Sequence, residues 1–308
     1  GYNLSKKLIH QEFSVTGIDS LNTAYDKKFK ELRLKDLENE KKFQFVNNNL
    51  SNEDSLNELN DFDIVYHMGA RAGVRQSFKD PLSYIKDNTI ATTNVANFCK
   101  NKNIQKMILA STSSIYGNSG DKEMVEELDE KINPPSIYAS TKLSGETLAK
   151  TILSSHDTNL IITRFFTVYG PYGRPDMSIL RFIHWIMENK EVIIFGDGEQ
   201  RRDFIHVDDT VKVKNWFKQN PAVSGIYNVG TGTSRTFNDI AVCVLDYYKN
   251  EDPNAVMSYI DFPEGLEDQY QAFTEADMSL LKSKGYNESF TSLEKGVKLY
   301  LDWLSKNT

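Results

Sequence analysis

Tyr138 and Lys142, in the run YASTK (138–142), stand four residues apart and so share one face of any helix they occupy. A phenol with a pKa of ~10 is a poor base at neutral pH, but an adjacent ammonium favours the phenolate and lowers that pKa. Taken alone, the spacing equally describes a pair on a solvated surface. STSSIYG (111–117) gives it a context, because consecutive hydroxyl residues follow the apolar run KMILAS (106–111) upstream of Tyr138. Hydroxyls at the carboxyl end of a parallel strand are poor core material, since each needs a partner when buried. One of them can share a proton with Tyr138 and a substrate hydroxyl. A third chemical group is Asp19, which ends the strand-like FSVTGI. In a dinucleotide-binding βαβ unit an acid at this place accepts hydrogen bonds from an adenosine ribose and disfavours a 2′-phosphate, which points to NAD. Gly1 precedes a short amphipathic helix (Leu4, Leu8, Ile9), where the third glycine of a dinucleotide fingerprint allows close helix–sheet packing.

These groups need a scaffold, and the hydrophobic periodicity supplies one. Strands are expected at 13–18, 43–47, 62–67, 106–111, 160–164 and 226–230, with helices near 30–41, 52–59, 81–101 and 137–155. Several strands are apolar on both faces, as in a parallel sheet covered on two sides. The fold class is therefore α/β, a doubly wound parallel sheet with a smaller C-terminal cap. YGPYGRPDM (169–177) and FGDGEQRRDFIHVDD (195–209) carry the turn residues and charges of ligand-lining segments. In such folds the ligand lies beyond the carboxyl ends of the strands, so a cleft between sheet and cap is expected.

Composition narrows the function classes. A net charge of −7 argues against nucleic acid or an anionic membrane as the main partner. No apolar run approaches the ~18 residues of a membrane span, and the chain reads as cytoplasmic. Cys99 and Cys243, both in apolar helical patterns, read as buried structural thiols. The five histidines show no metal-ligand spacing, and no metal is expected. GNSG (117–120) is not a Gly-x-Ser-x-Gly elbow, so a hydrolase triad has no anchor.

The ordered blocks HMGARAGVRQS (67–77), STSSIYG, YASTK, RFFTVYGPYGRPDM (164–177), GDGEQRRDFIHVDD (196–209) and YNVGTG (227–232) cover essentially the whole chain. The sequence resembles the extended short-chain dehydrogenase/reductases, specifically NAD-dependent nucleotide-sugar epimerases and dehydratases, and is most similar to UDP-glucuronate 4-epimerases. The resemblance implies a Rossmann-like NAD domain over 1–165, with 205–235 returning to it, and a nucleotide-sugar cap built mainly from 166–204 and 236–308. It implies that Tyr138 is the base, Thr112 assists it, and Lys142 holds the nicotinamide ribose. Gly1, Asp19, Asn49, Leu50, Gly69, Ala70, Asn88, Tyr138 and Lys142 would contact NAD. Arg75 and Arg202 would meet a diphosphate, a natural task for guanidinium forks. Phe195 would lie at the uracil. Arg201, next to Arg202, reads as a solvated surface residue.

Within the family, 4,6-dehydratases carry an Asp-Glu pair where this chain has Ser113 and Ser114, and uronate decarboxylases keep a Glu at the second place. Ser113 and Ser114 would hold a uronate carboxylate without further proton transfer, Thr167 would add a hydroxyl near it, and Thr112 would touch the substrate as the residue that assists the base. Arg174 would add charge on closure, with an ion pair to Asp176 as the alternative. The expected reaction is therefore 4-epimerisation of UDP-glucuronate to UDP-galacturonate; a UDP-hexose 4-epimerase or another dehydratase or decarboxylase is the alternative. Two departures stand out. Asn49-Leu50 replaces the family's Asp-Leu, and the family's first strand and the start of its glycine-rich loop are absent ahead of Gly1. The latter raises an expectation of another class, a non-catalytic nucleotide-sugar binder or dimer partner. In either case helices 81–101 and 137–155 match those that pair in family homodimers.

Overall fold

The structure, a computed structural model, describes residues 1–59, 62–118, 120, 122–126, 134–188, 190–249, 255–262 and 271–307. Helix α1 (Tyr2–His10) leads into β1 (Val15–Asp19), α2 (Lys27–Glu38) and β2 (Phe43–Asn47). After β3 (Ile64–His67) come α3 (Val74–Lys79) and α4 (Pro81–Tyr84), which runs through a π-helical segment at Ile85–Ile90 into α5 (Ala91–Asn101). Next are β4 (Lys106–Thr112), α6 (Ile137–Leu153) and β5 (Asn159–Phe165). The chain continues through β6 (Thr167–Tyr169), α7 (Ser178–Met187), β7 (Val192–Phe195), β8 (Arg201–His206), α8 (Val207–Gln219) and β9 (Gly225–Val229). It ends with β10 (Ser234–Thr236), α9 (Phe237–Tyr248), β11 (Met257–Ile260), α10 (Ser279–Ser283) and α11 (Leu293–Asn307).

Two compact units result, one from 1–115, 129–164 and 211–227, the other from 116–128, 165–210 and 228–308. In the first, β1 pairs in parallel with β2, and the remaining strands run in the order β3-β4-β5-β9. Pairing of β3 with β4 is parallel, with His67 opposite Leu109. The parallel strands thus fall into two groups rather than one continuous ladder. Both groups are nonetheless held by the same layers. Val15 of β1 and Tyr66 of β3 pack on Leu4, Leu8 and Val211, while Ile18 and Val65 pack on the opposite cluster around Val95, Cys99 and Met107. A covered parallel sheet needs apolar residues on both faces, and these strands have them.

Local chemistry starts the helices. Ser136 caps α6 by accepting from Ala139 N at 3.1 Å, directly after Pro134 and Pro135. Asn133, which opens that NPPS run, lies outside the described residues. Asp80 caps α4 and Pro81 takes its first position, where the missing N–H costs nothing. The expected helix at 81–101 is therefore present, interrupted by the π-turn, and the one expected at 52–59 is a 3₁₀ turn at Glu53–Leu56.

The second unit is built around a cluster joining Tyr169, Ile183, Val192, Phe204, Ile240, Val297 and Tyr300. Its small sheets are β10-β8-β6 and β11-β7. Thr236 and Asp239 form a reciprocal capping box at the start of α9.

Candidate active site

Three segments of the first unit bring the chemistry together: the end of β4, helix α6 and the π-turn. Thr112 closes β4 and is buried, with its Oγ1 3.2 Å from Ser114 Oγ and accepting from Ser114 N. Ser113 is buried beside it. On α6, Tyr138 is half-buried, and its ring meets that of Tyr84 edge-on at 6.3 Å. Tyr84 donates to the carbonyls of Ala72 and Gly73 at 3.0 and 2.8 Å, which ties the turn before α3 to this ring.

Lys142 sits one turn beyond Tyr138 and is 5% exposed. Burial pushes its ammonium pKa down to about 8, partly offset by the charge of Glu146. Among the described residues, no hydrogen bond or ion pair closes on its Nζ. A buried ammonium in that state is suited to acceptors brought by a ligand.

The π-turn fixes α6 in place. Asn88, fully buried, donates to Thr141 Oγ1 and to Arg71 O, each at 3.0 Å, and accepts from Arg71 N at 2.7 Å. Both of its amide hydrogens are thus spent within the protein, which ties the helix to the Arg71 turn. Gly145 permits the close approach, since a Cβ there would lie 3.3 Å from Thr92 Oγ1 and 3.4 Å from Asn88 O. Thr92 donates to Asn88 O at 2.5 Å, so at 3.0 Å it must accept from His67 Nε2. That fixes the His67 tautomer. Burial and the Lys142 charge push His67 down to about 3, and the ring is neutral at physiological pH.

A second buried network was not foreseen from the sequence. Arg164 of β5 clamps Glu146 of α6 through Nε at 3.1 Å and Nη2 at 2.7 Å, and Ser111 of β4 donates to the same carboxylate. All three side chains are buried. The available signal was a charged residue ending the apolar run LIITR, together with a carboxylate one turn past Lys142.

The other expected residues of this unit lie at strand ends. Asp19 is exposed at the end of β1, accepts from Leu21 N at 2.7 Å, and has Lys30 Nζ 3.8 Å away. Gly1 caps α1 through its carbonyl, which accepts from Ser5 N. Gly69 and Ala70 are exposed after β3, and a Cβ at Gly69 would meet Leu50 at 3.0 Å. Asn49 Oδ1 accepts from Ser51 N and Ser51 Oγ, both at 2.9 Å. Arg75 is exposed on α3.

In the second unit, Thr167 lies on β6 opposite Phe204. Arg202 places its guanidinium 5.9 Å from the Phe237 ring and donates to Arg201 O at 2.8 Å. Arg201 is exposed but not merely solvated, for it donates to Ser234 Oγ and Ser234 O. Phe195 ends β7 with its ring 5.9 Å from that of Phe262. Arg174 pairs with Asp176 at 3.4 Å, the alternative weighed from sequence. Among the described residues there is no cluster able to hold a metal ion and no helix long and apolar enough to cross a membrane.

Residues 1–230 match the sequence profile of the NAD dependent epimerase/dehydratase family. The chain belongs to that family. The epimerase/dehydratase is 35% identical to a UDP-glucuronate 4-epimerase of Thermodesulfobacterium geofontis, over 100% of this chain and 93% of that one. It superposes on the crystal structure of UDP-glucuronic acid 4-epimerase from Bacillus cereus in complex with UDP-glucuronic acid and NAD. There the TM-score is 0.87, with 30% identity, covering 100% of this chain and 96% of that one. The fold is also that of a dTDP-glucose 4,6-dehydratase from Streptomyces venezuelae, at a TM-score of 0.86 and 19% identity, over 100% of this chain and 94% of that one.

The epimerase/dehydratase is an NAD enzyme, and its side chains fit that cofactor. The Lys142 ammonium is buried without a protein acceptor, and the Asp19 carboxylate stands exposed at a strand end. The first suits ribose hydroxyls near the reacting ring, the second those of the adenosine.

Proposed function

We propose that this enzyme interconverts UDP-glucuronate and UDP-galacturonate, with NAD retained through each cycle. One observation carries the reading: Thr112, Tyr138 and Lys142 belong to one compact unit, and the adjoining Ser113 and Ser114 offer hydroxyls at the places where the family resemblance puts an acid in dehydratases and decarboxylases.

The chain's own groups account for the proton. Lys142, charged below about pH 8, favours the phenolate of Tyr138 electrostatically. Tyr138 takes the proton of the sugar 4-hydroxyl and returns it to the same oxygen in the second half of the cycle. Thr112 shares that proton through its hydroxyl. NAD, held by Lys142 and Asp19, would supply the hydride acceptor and donor for C4. Ser113 and Ser114 hold the sugar carboxylate by hydrogen bonds and move no proton, which protects the β-keto acid from losing CO₂. Lys142 and Asp19 hold the two ribose groups of NAD. Arg202, Arg75 and Phe195 bind the diphosphate and uracil, and Thr167 assists at the carboxylate.

The first unit is in this reading the NAD domain and the second the nucleotide-sugar cap. The enzyme acts as a homodimer through α4, α5 and α6, a role supported by the exposed Leu82, Ile85 and Ile90. Free Cys99 and Cys243 suit a reducing cytoplasm.

The test is to incubate the purified enzyme with UDP-glucuronate and separate the products. The 4-epimer without net NADH supports the reading. A UDP-pentose with CO₂, or a dehydrated sugar, contradicts it. Tyr138→Phe should lower turnover by roughly 10²–10⁴-fold while still binding UDP.

A further inference from the structure

We infer that Glu146 is a positioning residue, a buried carboxylate that joins the three elements carrying the catalytic groups and holds Lys142 in its charged form. The inference rests on the roles proposed above for Thr112, Tyr138 and Lys142.

The geometry is specific. Glu146 lies four residues after Lys142 and eight after Tyr138, on the same face of α6. Its two carboxylate oxygens are engaged from two other elements. Ser111, the residue before Thr112, donates from β4, and Arg164 presents a two-pronged fork from β5. The strand end that places the Thr112 hydroxyl is thereby tied to the helix that places Tyr138 and Lys142.

The same arrangement governs charge. Glu146 is 2% exposed and Lys142 5% exposed, so water screens neither. Left unclamped, a buried carboxylate one turn away would draw the lysine ammonium into an ion pair and away from Tyr138. Arg164 occupies the carboxylate instead. Lys142 keeps the benefit of a nearby negative charge without surrendering its donors. The other titratable groups close to this part of α6 do not replace it. His67 on β3 is neutral, and the Tyr84 phenol on α4 donates to backbone carbonyls. Arg71 and Asp87, next to the π-turn, are paired at 2.8 Å.

The experiment compares the wild-type enzyme with Glu146→Gln, Glu146→Asp and Ser111→Ala. It follows kcat and KM for UDP-glucuronate from pH 6 to 10, and the NAD released from each purified protein on denaturation over the same range. Glu146→Gln should lower kcat by up to ~10²-fold with little change in KM, as expected for misplaced groups. It should also move the alkaline loss of kcat and of bound NAD down by about one pH unit. Glu146→Asp, which keeps the charge, should leave that alkaline limb where the wild type has it. A Glu146→Gln limb at the wild-type position overturns the inference. Ser111→Ala, which leaves the carboxylate and Arg164 in place, decides the case if the Gln variant does not fold. It should lower kcat with the limb unmoved, and wild-type kcat would overturn the tie to Thr112. If the wild-type enzyme does not convert UDP-glucuronate, the functional reading fails, and the pH dependence of NAD retention still tests the inference.

Discussion

Asn88 donates its side-chain amide to Thr141 Oγ1 across 3.0 Å, joining the π-turn to the helix that carries Tyr138 and Lys142. Thr141 in turn donates to Tyr138 O at 2.9 Å. Asn88→Ala leaves Arg71 N, Arg71 O and the Thr141 hydroxyl buried with fewer partners. We expect a loss of about 1–3 kcal/mol in unfolding free energy per buried group left unsatisfied. Urea denaturation reads this directly, and kcat should fall with it because Tyr138 is less firmly placed. Unchanged stability would mean that water replaces the amide.

His67 sets an acid limit on stability. Its folded pKa of about 3 lies below the ordinary 6.5, so between those values the unfolded chain binds a proton that the folded chain does not. Stability from this group is complete above about pH 6.5 and is lost as pH falls through the window, by at most ~1.4 kcal/mol per unit. His67→Gln, which can still donate to Thr92, should reduce that slope in chemical denaturation between pH 6.5 and 4. Lys142 follows the same sign at the other end. Its folded pKa of about 8 lies below 10.5, so folding stability rises as pH climbs through that interval while activity is lost.

The Arg164–Glu146 pair is costly to break and cheap to replace. Arg164→Met leaves a buried carboxylate without its fork and should destabilise the fold by about 3–5 kcal/mol. The double variant Arg164→Met, Glu146→Leu removes both charges and should recover most of that loss. Denaturation curves for the single and double variants measure the difference. Equal losses would show that packing, not the stranded charge, dominates.

The proposed role of Asp19 in dinucleotide selectivity places one carboxylate in a basic setting. Lys30 Nζ lies 3.8 Å from Asp19, 2.7 Å from Asn22 Oδ1 and 5.0 Å from the centre of the Tyr25 ring, and Arg33 donates to the Tyr25 hydroxyl. Asp19→Ala should weaken NAD binding by about 1.5–3 kcal/mol, the loss of hydrogen bonds to a charged group. With Lys30 left uncompensated, NADP should bind better than it does to the wild type. Mass spectrometry of the dinucleotide retained after loading with each cofactor distinguishes the outcomes. Undiminished NAD binding would remove Asp19 from the site.

Much of this is legible in the sequence, and for physical reasons. Both-face apolar strands and a Tyr-x-x-x-Lys helix after a hydroxyl-rich strand end are local patterns, and each survives in the fold. What was not legible depends on tertiary pairing. Glu146 and Arg164 are eighteen residues apart and belong to different elements, so nothing local reveals that they meet. The π-turn at Asn88 is likewise invisible to a 3.6-residue periodicity, although the helix around it is plain. The turn in which Asn49 Oδ1 accepts from Ser51 N and Ser51 Oγ also forms only on folding.

The most direct test of the central claim is to run the epimerisation of UDP-glucuronate in D₂O and examine the product by NMR. If hydride leaves C4 and returns to it while Tyr138 handles only the hydroxyl proton, the UDP-galacturonate formed carries no deuterium at C4 or C5. Deuterium at either carbon, or no epimer at all, would contradict the account.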